Sequence, residues 1–221
     1  MALAIFDLDN TLLAGDSDYL WGQYLVEKNY VDPLSFQQAN QAYYDQYLEG
    51  TMDIYEFLTF QFKPLADHSL SELLQWRQDY LATKIDPIIL PAAITLIDRH
   101  RQQGDTLLII TATNDFITQP IAEKLAIPNL IATKAEIHNG HYTGHVDGIP
   151  SYQQGKVTRL QSWLEEHKQS LKGSYFYSDS HNDVPLLTQV THPVAVDPDP
   201  KLKAIAMQSG WPVISLRSTG E

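Results

Sequence analysis

The sequence predicts an α/β protein built on a parallel sheet with helices on both faces, interrupted after the first strand by an all-helical segment. Short apolar runs typical of buried strands alternate with helical patterns, as in a parallel sheet whose crossovers are helices. Between residues 15 and 87, by contrast, apolar residues recur every three or four positions without a convincing strand. We therefore expect a sheet-containing core from residues 1–14 and 88–221 and a helical insert from residues 15–87.

The predicted strands are short and mostly apolar. The first, residues 2–6, is an apolar run that stops at Asp7, as expected of a strand buried on both faces. An antiparallel hairpin is expected at 135–146, because Asn139 followed by Gly140 favours a two-residue turn. The other predicted strands are 106–111, 174–178, 193–196 and 212–216, and the predicted helices are 91–103, 115–125, 153–167 and 199–209.

The helical insert is acidic and rich in aromatic residues. It carries 12 acidic against four basic side chains, and so accounts for −8 of the net charge of −12. It also holds 14 of the 23 aromatic residues, which suits the packing of a small helical bundle. Capping-box spacing, at Ser35 with Gln38 and at Ser69 with Glu72, predicts two of its helix starts.

The composition excludes several classes of partner. The chain has 221 residues, no cysteine and a pI near 4.9, so we expect no broad contact with nucleic-acid phosphates or with an anionic membrane surface. Without thiolates, a metal must bind to oxygen or imidazole, which favours hard divalent cations such as Mg²⁺. The N-terminal residues lack the pattern of a signal peptide, and we expect a cytoplasmic protein.

Two aspartates directly follow the first predicted strand, in the run Asp7-Leu8-Asp9-Asn10-Thr11. On an extended segment residues i and i+2 point to the same side, so the two carboxylates share a small volume while Leu8 points into the core. Like charges that close are costly unless a cation or a proton intervenes. Because open α/β sheets bind ligands at the carboxyl ends of strands, this run predicts a Mg²⁺ site rather than an exposed junction with a capping aspartate.

Three weaker features stand at other predicted strand ends and helix starts. Thr111 ends an apolar strand and leads through Ala112 into a helix, which suits a phosphate cradle but is also common in helix caps. Lys156 begins a helical pattern, where most lysines are simply solvated. Asp179 and Asp183 follow another apolar strand, where such a pair can complete a metal site or cap a helix.

In this order, the four features resemble the signature of the haloacid dehalogenase (HAD) superfamily of phosphohydrolases. That signature is Asp-x-Asp-x-Thr, then Ser or Thr, then Lys, then Asp-x-x-x-Asp, and the matching residues are Asp7, Asp9, Thr11, Thr111, Lys156, Asp179 and Asp183. The insert after the first motif and the run 178–187 are similar to the phosphoserine-phosphatase-like group, which includes histidinol phosphatases. The resemblance covers nearly the whole chain and implies a Rossmann-like core with the insert as a cap.

The resemblance implies a Mg²⁺-dependent phosphomonoester hydrolase and a role for each matching residue. Asp7 attacks phosphorus to form an aspartyl-phosphate, and Asp9 acts first as the acid and then as the base. Mg²⁺ is held by Asp7, the backbone carbonyl of Asp9 and Asp179, while Asp183 orients a metal-bound water or Lys156. The phosphoryl oxygens are held by Thr111, Ala112, Lys156 and Asn182. One departure is Thr111-Ala112-Thr113, where phosphoserine phosphatases have Ser-Gly-Gly, which makes the phosphate loop bulkier.

The charge of the insert bears on the substrate, which we expect to be a small phosphorylated metabolite. Phosphoserine phosphatases carry an acid nine residues after the nucleophile, and Asp16 at this position suits a substrate amine. They also use a cap arginine for the serine carboxylate, but Arg77 is the insert's single arginine and lies in an apolar-spaced stripe. The acidic excess disfavours a carboxylate and attracts an ammonium or imidazolium, and Tyr19, Trp21 and Tyr24 can add contacts to a ring. Histidinol phosphate therefore ranks above phosphoserine, with phosphocholine and phosphoethanolamine behind.

Other interpretations remain open at this point. A phosphotransferase would pass the phosphoryl group from Asp7 to an alcohol other than water, and a binding module would keep the fold without the reaction. His138, His141 and His145 have zinc-site spacing, but the expected hairpin favours a cross-strand surface pair of His138 with His141. His181 lies inside the last motif, where it contacts either substrate or solvent.

Overall fold

Seven strands form one sheet in the computed structural model, which describes residues 2–217. The strands are β1 (Leu3–Phe6), β2 (Thr106–Asn114), β3 (Asn129–His138), β4 (His141–Asp147), β5 (Tyr175–Ser178), β6 (His192–Val196) and β7 (Val213–Ile214). Their order is β4-β3-β2-β1-β5-β6-β7, and every neighbouring pair is parallel except β3 with β4. The predicted α/β fold with a parallel sheet is confirmed.

Nine α-helices accompany the sheet within residues 2–217. They are α1 (Ser17–Glu27), α2 (Pro33–Glu49), α3 (Ile54–Asp67), α4 (Leu70–Tyr80), α5 (Pro91–Gln102), α6 (Asp115–Lys124), α7 (Gln154–His167), α8 (Val184–Leu187) and α9 (Pro200–Ser209). Helices α1–α4, followed by a π-helical turn at Leu81–Ile85, make up the helical insert between β1 and α5. None of the described helices is long and apolar enough to cross a membrane.

The central strand β1 contributes side chains to both faces of the sheet, because successive residues of a strand point in opposite directions. Ala4 and Phe6 belong to an apolar cluster that includes α5, α6 and the insert. Leu3 and Ile5 belong to a second cluster, formed with residues of α7, α8 and α9. Both faces are therefore covered by helices, as the continuous apolar run of β1 predicts.

Aromatic side chains join the insert to the sheet core. Trp21 of α1 packs edge-on against Tyr80 at the end of α4, with ring centroids 5.1 Å apart, and against Phe116 of α6 at 5.8 Å. Trp21 and Tyr80 are almost completely buried, and both belong to the cluster that also contains Phe6. The insert and the core thus share one hydrophobic cluster.

The two predicted helix starts in the insert have different outcomes. At α4 the capping box is confirmed, with the Ser69 side chain bonded to the backbone of Glu72 and the Glu72 side chain bonded back. At α2 the predicted box is wrong, because the helix begins earlier, at Pro33, and Asp32 accepts the hydrogen bond from the backbone of Ser35. Proline is preorganised for the first helical position, and that preference sets the start here.

The strands near β3 extend beyond their predicted limits. The predicted hairpin is confirmed, and His138 pairs with His141 across its turn. However, β3 starts at Asn129, and its first part pairs in parallel with β2. The sequence predicts no element for this first part of β3. Strand β2 continues to Asn114, so the segment around Thr111 is strand with an irregular register instead of a turn into the helix.

The start of α7 depends on a close approach of two backbone segments. Gly155 donates its backbone N–H to the carbonyl of Tyr152 at 2.7 Å. A Cβ atom at Gly155 would lie 2.0 Å from the carbonyl oxygen of Pro150, a distance that requires the backbone to shift. Glycine at this position, directly before Lys156, therefore allows the first turn of α7 to pack against Pro150.

We predict that Gly155→Ala lowers the free energy of unfolding by about 1–3 kcal/mol, because one of the two backbone segments must move. Denaturant unfolding measures this change. Gly15→Ala is the matched control, since the nearest atom to its new Cβ would be the flexible side-chain end of Ile88 at 3.3 Å. Equal losses of stability in the two variants would contradict the proposed backbone clash.

Candidate active site

The four motif segments meet at one edge of the sheet. Asp7 follows the last residue of β1, Thr111 lies in the last part of β2, and Asp179 follows the last residue of β5. Because β1 lies between β2 and β5, Asp7 occupies the middle of this edge. Lys156, in the first turn of α7, reaches the same point.

Lys156 forms the central charge pairing of the site. Its Nζ donates to Asp7 Oδ1 at 2.8 Å and to Asp183 Oδ2 at 2.8 Å, and the three side chains are only 3–6% exposed. Ser178 Oγ also donates to Asp183 Oδ2, at 2.7 Å. A buried ammonium group is tolerated only when it is paired and hydrogen-bonded, so these two carboxylates fix the position of the lysine.

The hydroxyl of Thr11 lies between two carboxylates. Its Oγ1 is 3.1 Å from Asp179 Oδ1 and 3.4 Å from Asp7 Oδ2, and it accepts the backbone N–H of Asp179 at 3.1 Å. The carboxylates of Asp7 and Asp179 therefore lie on either side of one small polar group. This places two oxygen-bearing ligands for a hard cation close together.

Asp9 links the sheet edge to the insert. Its Oδ1 accepts the backbone N–H of Ser17 at 2.6 Å, and its Oδ2 accepts the Thr113 hydroxyl at 2.8 Å. Thr111 Oγ1 is 3.4 Å from the same Oδ2 and accepts the backbone N–H of Thr113 at 3.2 Å. Asp9 thus contacts both the start of α1 and the predicted phosphate segment.

The site holds more negative charge than Lys156 balances. Burial raises the pKa of Asp7 to about 7, although Lys156 opposes the shift. Burial, and then repulsion from Asp7 and Asp183, raises the pKa of Asp179 well above its usual range. Burial opposes the charge of Lys156, but Asp183 and Asp7 outweigh it and raise the lysine pKa. A further cation would relieve the remaining repulsion.

A cavity that opens to solvent lies between this sheet edge and the insert. Its floor contains Asp7, Asp9, Thr111, Ala112, Thr113 and Lys156. Its walls come from the insert and consist of Asp16, Asp18, Tyr19, Asn40, Tyr43, Tyr44, Tyr47, Met52, Phe57 and Gln61. Among these lining residues Lys156 is the one cationic side chain, so the walls carry carboxylates, amides and aromatic rings but no positive charge.

Most of the insert residues that line the cavity lie outside the predicted site. Asp16 was singled out, whereas Asp18, Asn40 and Gln61 were not, because an isolated acid or amide in a helix gives no sequence signal of its own. Tyr43 and Tyr47 stand at helical spacing in α2, but this pattern is equally typical of packing.

The aromatic residues proposed to contact a substrate ring divide between the cavity and the core. Tyr19 lines the cavity, where it packs against Tyr44 with ring centroids 4.7 Å apart. The expectation for Trp21 and Tyr24 is wrong, because both are about 1% exposed and belong to the hydrophobic cluster that the insert shares with the core. Residues 19 and 21 are about 200° apart around α1, so they face opposite sides of the helix.

Asn182 connects the last motif to the insert. Its Nδ2 donates to the backbone carbonyl of Tyr47 at 3.1 Å, and its Oδ1 accepts Gln153 Nε2 at 3.0 Å. Its predicted contact with a phosphoryl oxygen stays a prediction. His181 binds Asp199 Oδ2 through Nδ1 at 2.8 Å and is not among the residues that line the cavity.

The histidines of the hairpin lie elsewhere on the surface. His138 and His141 pair across the turn, and these two and His145 are exposed. Within residues 2–217, no group of three or more His, Asp or Glu side chains is arranged to hold a metal ion. The predicted cross-strand pair of His138 with His141 is confirmed.

Comparison with known proteins identifies the family. The HAD model, haloacid dehalogenase-like hydrolase, matches residues 4–188. The chain belongs to the HAD family. A histidinol-phosphatase of Neisseria meningitidis is 44% identical over 219 residues, which are 97% of this chain and 99% of that protein. A phosphoserine phosphatase of Mycobacterium tuberculosis is 30% identical over 219 residues, 98% of this chain and 71% of that protein.

Solved structures show the same HAD fold. A protein of unknown function from Bordetella pertussis superposes with a TM-score of 0.92 at 40% identity, covering 98% of this chain and 99% of that one. A phosphoserine phosphatase solved as a phospho-aspartyl intermediate analogue superposes with a TM-score of 0.71 at 16% identity, covering 98% and 93%. The second likeness establishes the fold alone.

Asp16 predicts a pH-dependent stability of this HAD protein. Burial, and then repulsion from Asp9, raises the Asp16 pKa to about 7. Between about pH 4 and 7 the folded state then binds a proton that the unfolded state lacks, so the free energy of unfolding falls as pH rises. Asparagine also caps helices, so Asp16→Asn should keep the cap on Tyr19 N and remove this loss.

Without divalent cations, Asp16→Asn should therefore be more stable than the wild type at pH 8. The expected gain is roughly 1–2 kcal/mol, less than the full pKa shift implies, because water at the cavity mouth screens part of the effect. The difference should vanish towards pH 4. Thermal unfolding across this pH range measures it, and Asp53→Asn, at the exposed N-cap of α3, is the control. A stability gain that is independent of pH would show that charge at Asp16 is not its cause.

Proposed function

We propose that this HAD phosphatase hydrolyses histidinol phosphate. The observation that carries the proposal is the polarity of the cavity, with Lys156 on the floor and Asp16, Asp18 and several tyrosines on the walls. The floor suits a phosphate group, and walls that carry carboxylates and aromatic rings suit an alcohol with an ammonium group and a ring. The match to a histidinol-phosphatase over nearly the full length of both chains supports the same substrate.

The position of Arg77 argues against a substrate carboxylate. Its Nη1 donates to the backbone carbonyl of Phe116 at 2.7 Å, and its guanidinium lies 4.7 Å from the Phe116 ring centroid. Arg77 is not among the residues that line the cavity. Phosphoserine would therefore bring a carboxylate to walls that offer it no cation, which costs desolvation energy without a compensating ion pair.

Phosphoserine phosphatase is the alternative, since similar proteins include one of that name. Phosphatases of other small amino-alcohol phosphates and phosphotransferases would use the same floor. Phosphoserine and small amino-alcohol phosphates have no ring, so they explain the aromatic walls at Tyr43, Tyr44 and Tyr47 less directly than a ring-bearing alcohol does. Histidinol phosphate therefore remains the first candidate.

In the proposed reaction Asp7 is the nucleophile. Its carboxylate attacks phosphorus in line, the bond to the substrate alcohol breaks, and an aspartyl-phosphate forms on Asp7. Lys156, already bonded to Asp7, balances negative charge on the phosphoryl oxygens, and Thr111 and the Ala112 N–H bind them. Asp183 holds Lys156 in place from the opposite side.

Asp9 is proposed to move the protons. Burial raises its pKa, while its bonds with Ser17 and Thr113 oppose the shift, and the raised pKa favours the protonated form that an acid catalyst needs. Protonated Asp9 donates to the departing alkoxide, and the resulting carboxylate accepts a proton from the water that hydrolyses the aspartyl-phosphate. The bond from Ser17 N holds Asp9 at the start of α1, beside the incoming alcohol.

The oxygen ligands at the sheet edge fit Mg²⁺. Asp7 and Asp179, on either side of Thr11 Oγ1, and the backbone carbonyl of Asp9 would hold the ion, and their crowded carboxylates have raised pKa values that a cation would lower. When bound, Mg²⁺ supplies positive charge that neutralises the phosphoryl oxygens. Two carboxylates and a carbonyl would be enough, because Mg²⁺ sites in proteins usually keep several waters as ligands.

The helical insert, residues 15–87, is proposed to act as the cap that selects the alcohol. Its side chains form the walls of the cavity, whereas the core provides the floor. Closure of such a cap excludes bulk water from the reacting phosphate. The insert thereby combines substrate selection with protection of the aspartyl-phosphate.

We expect catalysis to require a divalent cation. Exhaustive treatment with EDTA should abolish hydrolysis of p-nitrophenyl phosphate, and added Mg²⁺ should restore it, because the carboxylates need a counterion to accept a phosphate dianion. Mg²⁺ should also raise the melting temperature at pH 8, since it binds only the folded site. Asp179→Asn should weaken both effects of Mg²⁺. Full activity of the EDTA-treated protein would contradict the proposed metal site.

The substrate assignment is tested by comparing kcat/KM for histidinol phosphate and phosphoserine on one enzyme preparation. We expect a preference for histidinol phosphate of at least about tenfold, the effect of one unpaired buried charge or hydrogen-bonding group. Asp7→Asn, which lacks the nucleophile, sets the background for both esters. A preference for phosphoserine would overturn the assignment without affecting the proposed chemistry.

A further inference from the structure

Gln61 of α3 lines the cavity and carries a buried hydrogen-bond acceptor without a partner in the described part of the chain. The side chain is among the cavity-lining residues, and the residue is only 2% exposed. Its Oε1 has no hydrogen-bond partner among residues 2–217. Buried polar atoms are rarely left unpaired, so this oxygen is a candidate contact for a ligand.

The orientation of the Gln61 amide follows from a short chain of hydrogen bonds. Asn40 Nδ2 donates to the backbone carbonyl of Tyr19 at 3.1 Å, and a carbonyl can only accept. Asn40 Oδ1 is therefore left as the acceptor for Gln61 Nε2, at 3.4 Å. Because Nε2 is used in this way, Gln61 presents its oxygen, not its nitrogen, as the free group.

Gly22 of α1 provides the room that Asn40 needs. A Cβ at Gly22 would lie 2.6 Å from Asn40 Nδ2 and 2.7 Å from its Cγ, closer than real Cβ contacts. Glycine inside a helix is less stable than alanine, so α1 accepts a local cost to admit the amide. The packing of Asn40 against Gly22 thus fixes the Asn40 amide, which in turn orients the side chain of Gln61.

Gln61 and the wall carboxylates are held by different parts of the protein. Asp18 Oδ1 is 3.5 Å from Asn114 Nδ2 at the end of β2, and Asp16 caps α1 next to the floor. Gln61 lies on α3 and is positioned through Asn40 of α2. An ammonium near the reacting phosphate suits the two carboxylates, whereas a neutral amide oxygen suits an uncharged N–H farther along the alcohol.

We infer that Gln61 is a specificity-determining residue whose Oε1 accepts a hydrogen bond from a ring N–H of the substrate alcohol, with Asn40 as its positioning residue. The inference rests on the proposed function, in which the alcohol carries an imidazole. A site built to bond a substrate N–H discriminates strongly against an analogue that lacks it, because its own acceptor is then left unpaired.

The test compares histidinol phosphate with phenylalaninol phosphate, which keeps the phosphate, the amine and an aromatic ring but has no ring N–H. In the wild type we expect kcat/KM to favour histidinol phosphate. Gln61→Met, which removes the acceptor at similar volume, should lower the ratio of the two kcat/KM values by about tenfold. Gln75→Met, at an exposed position of α4, is the matched control and should leave the ratio at its wild-type value.

An unchanged ratio in Gln61→Met would overturn the inference, even if the wild type prefers histidinol phosphate to phosphoserine. A wild-type preference for phosphoserine would instead overturn the proposed function, and the inference with it, since a carboxylate has no N–H to donate. If Gln61→Met does not fold, the wild type decides by its own ratio. A preference of about tenfold or more for histidinol phosphate over phenylalaninol phosphate is expected, and equal kcat/KM values for the two esters would contradict the inference.

The role of Asn40 is tested by a double-mutant cycle on the same ratio. Asn40→Ala should lower the ratio, and the double variant Asn40→Ala with Gln61→Met should lower it no further than Gln61→Met alone. A purely structural role would instead reduce kcat/KM for both esters equally. Additive losses in the ratio would show that Asn40 does not act through Gln61.

Discussion

The site depends on one buried ion pair network, in which Lys156 lies between Asp7 and Asp183. Three separate elements supply these residues, namely the end of β1, the first turn of α7 and the segment after β5. Removing one partner from such a network leaves an uncompensated buried charge, which typically costs about 3–5 kcal/mol. Gly155, the residue before Lys156, packs closely against the backbone of Pro150, and this contact positions the backbone from which Lys156 reaches the site. Packing of the α7 start and the electrostatics of the site are therefore coupled.

The network leaves a negative excess that influences both ends of the cavity. Asp179 at the sheet edge, Asp9 on the floor, and Asp16 and Asp18 on the wall are not paired with a basic side chain in the described residues. On the floor this excess favours a divalent cation, which in turn allows a phosphate dianion to approach. On the wall it favours a cationic alcohol. The same charge imbalance thus supports the proposed metal, reaction and substrate class.

The sequence could predict the floor more completely than the walls. Asp7 and Asp9 follow an apolar strand, whose end fixes their location in any parallel sheet. Lys156 carries no comparable local signal and was recognised through the order of the four motifs. The wall residues depend on which side of each helix faces the cavity, and helical periodicity alone does not distinguish a cavity from a core. For that reason Trp21 and Tyr24 were misassigned, while Asn40 and Gln61 were missed.

The floor and the wall are also connected directly. Asn182, the neighbour of Asp183, donates to the carbonyl of Tyr47, whose side chain lines the cavity. Gly50, which follows α2, has a φ of 76°. A Cβ at this position would lie 2.8 Å from His181 Nε2, so the end of α2 closely approaches the last motif. The segment that holds Lys156 through Asp183 therefore also holds the aromatic wall. A shift of the insert that moved Tyr47 would be transmitted to this segment, which links the fit of the alcohol to the alignment of the charges around phosphorus.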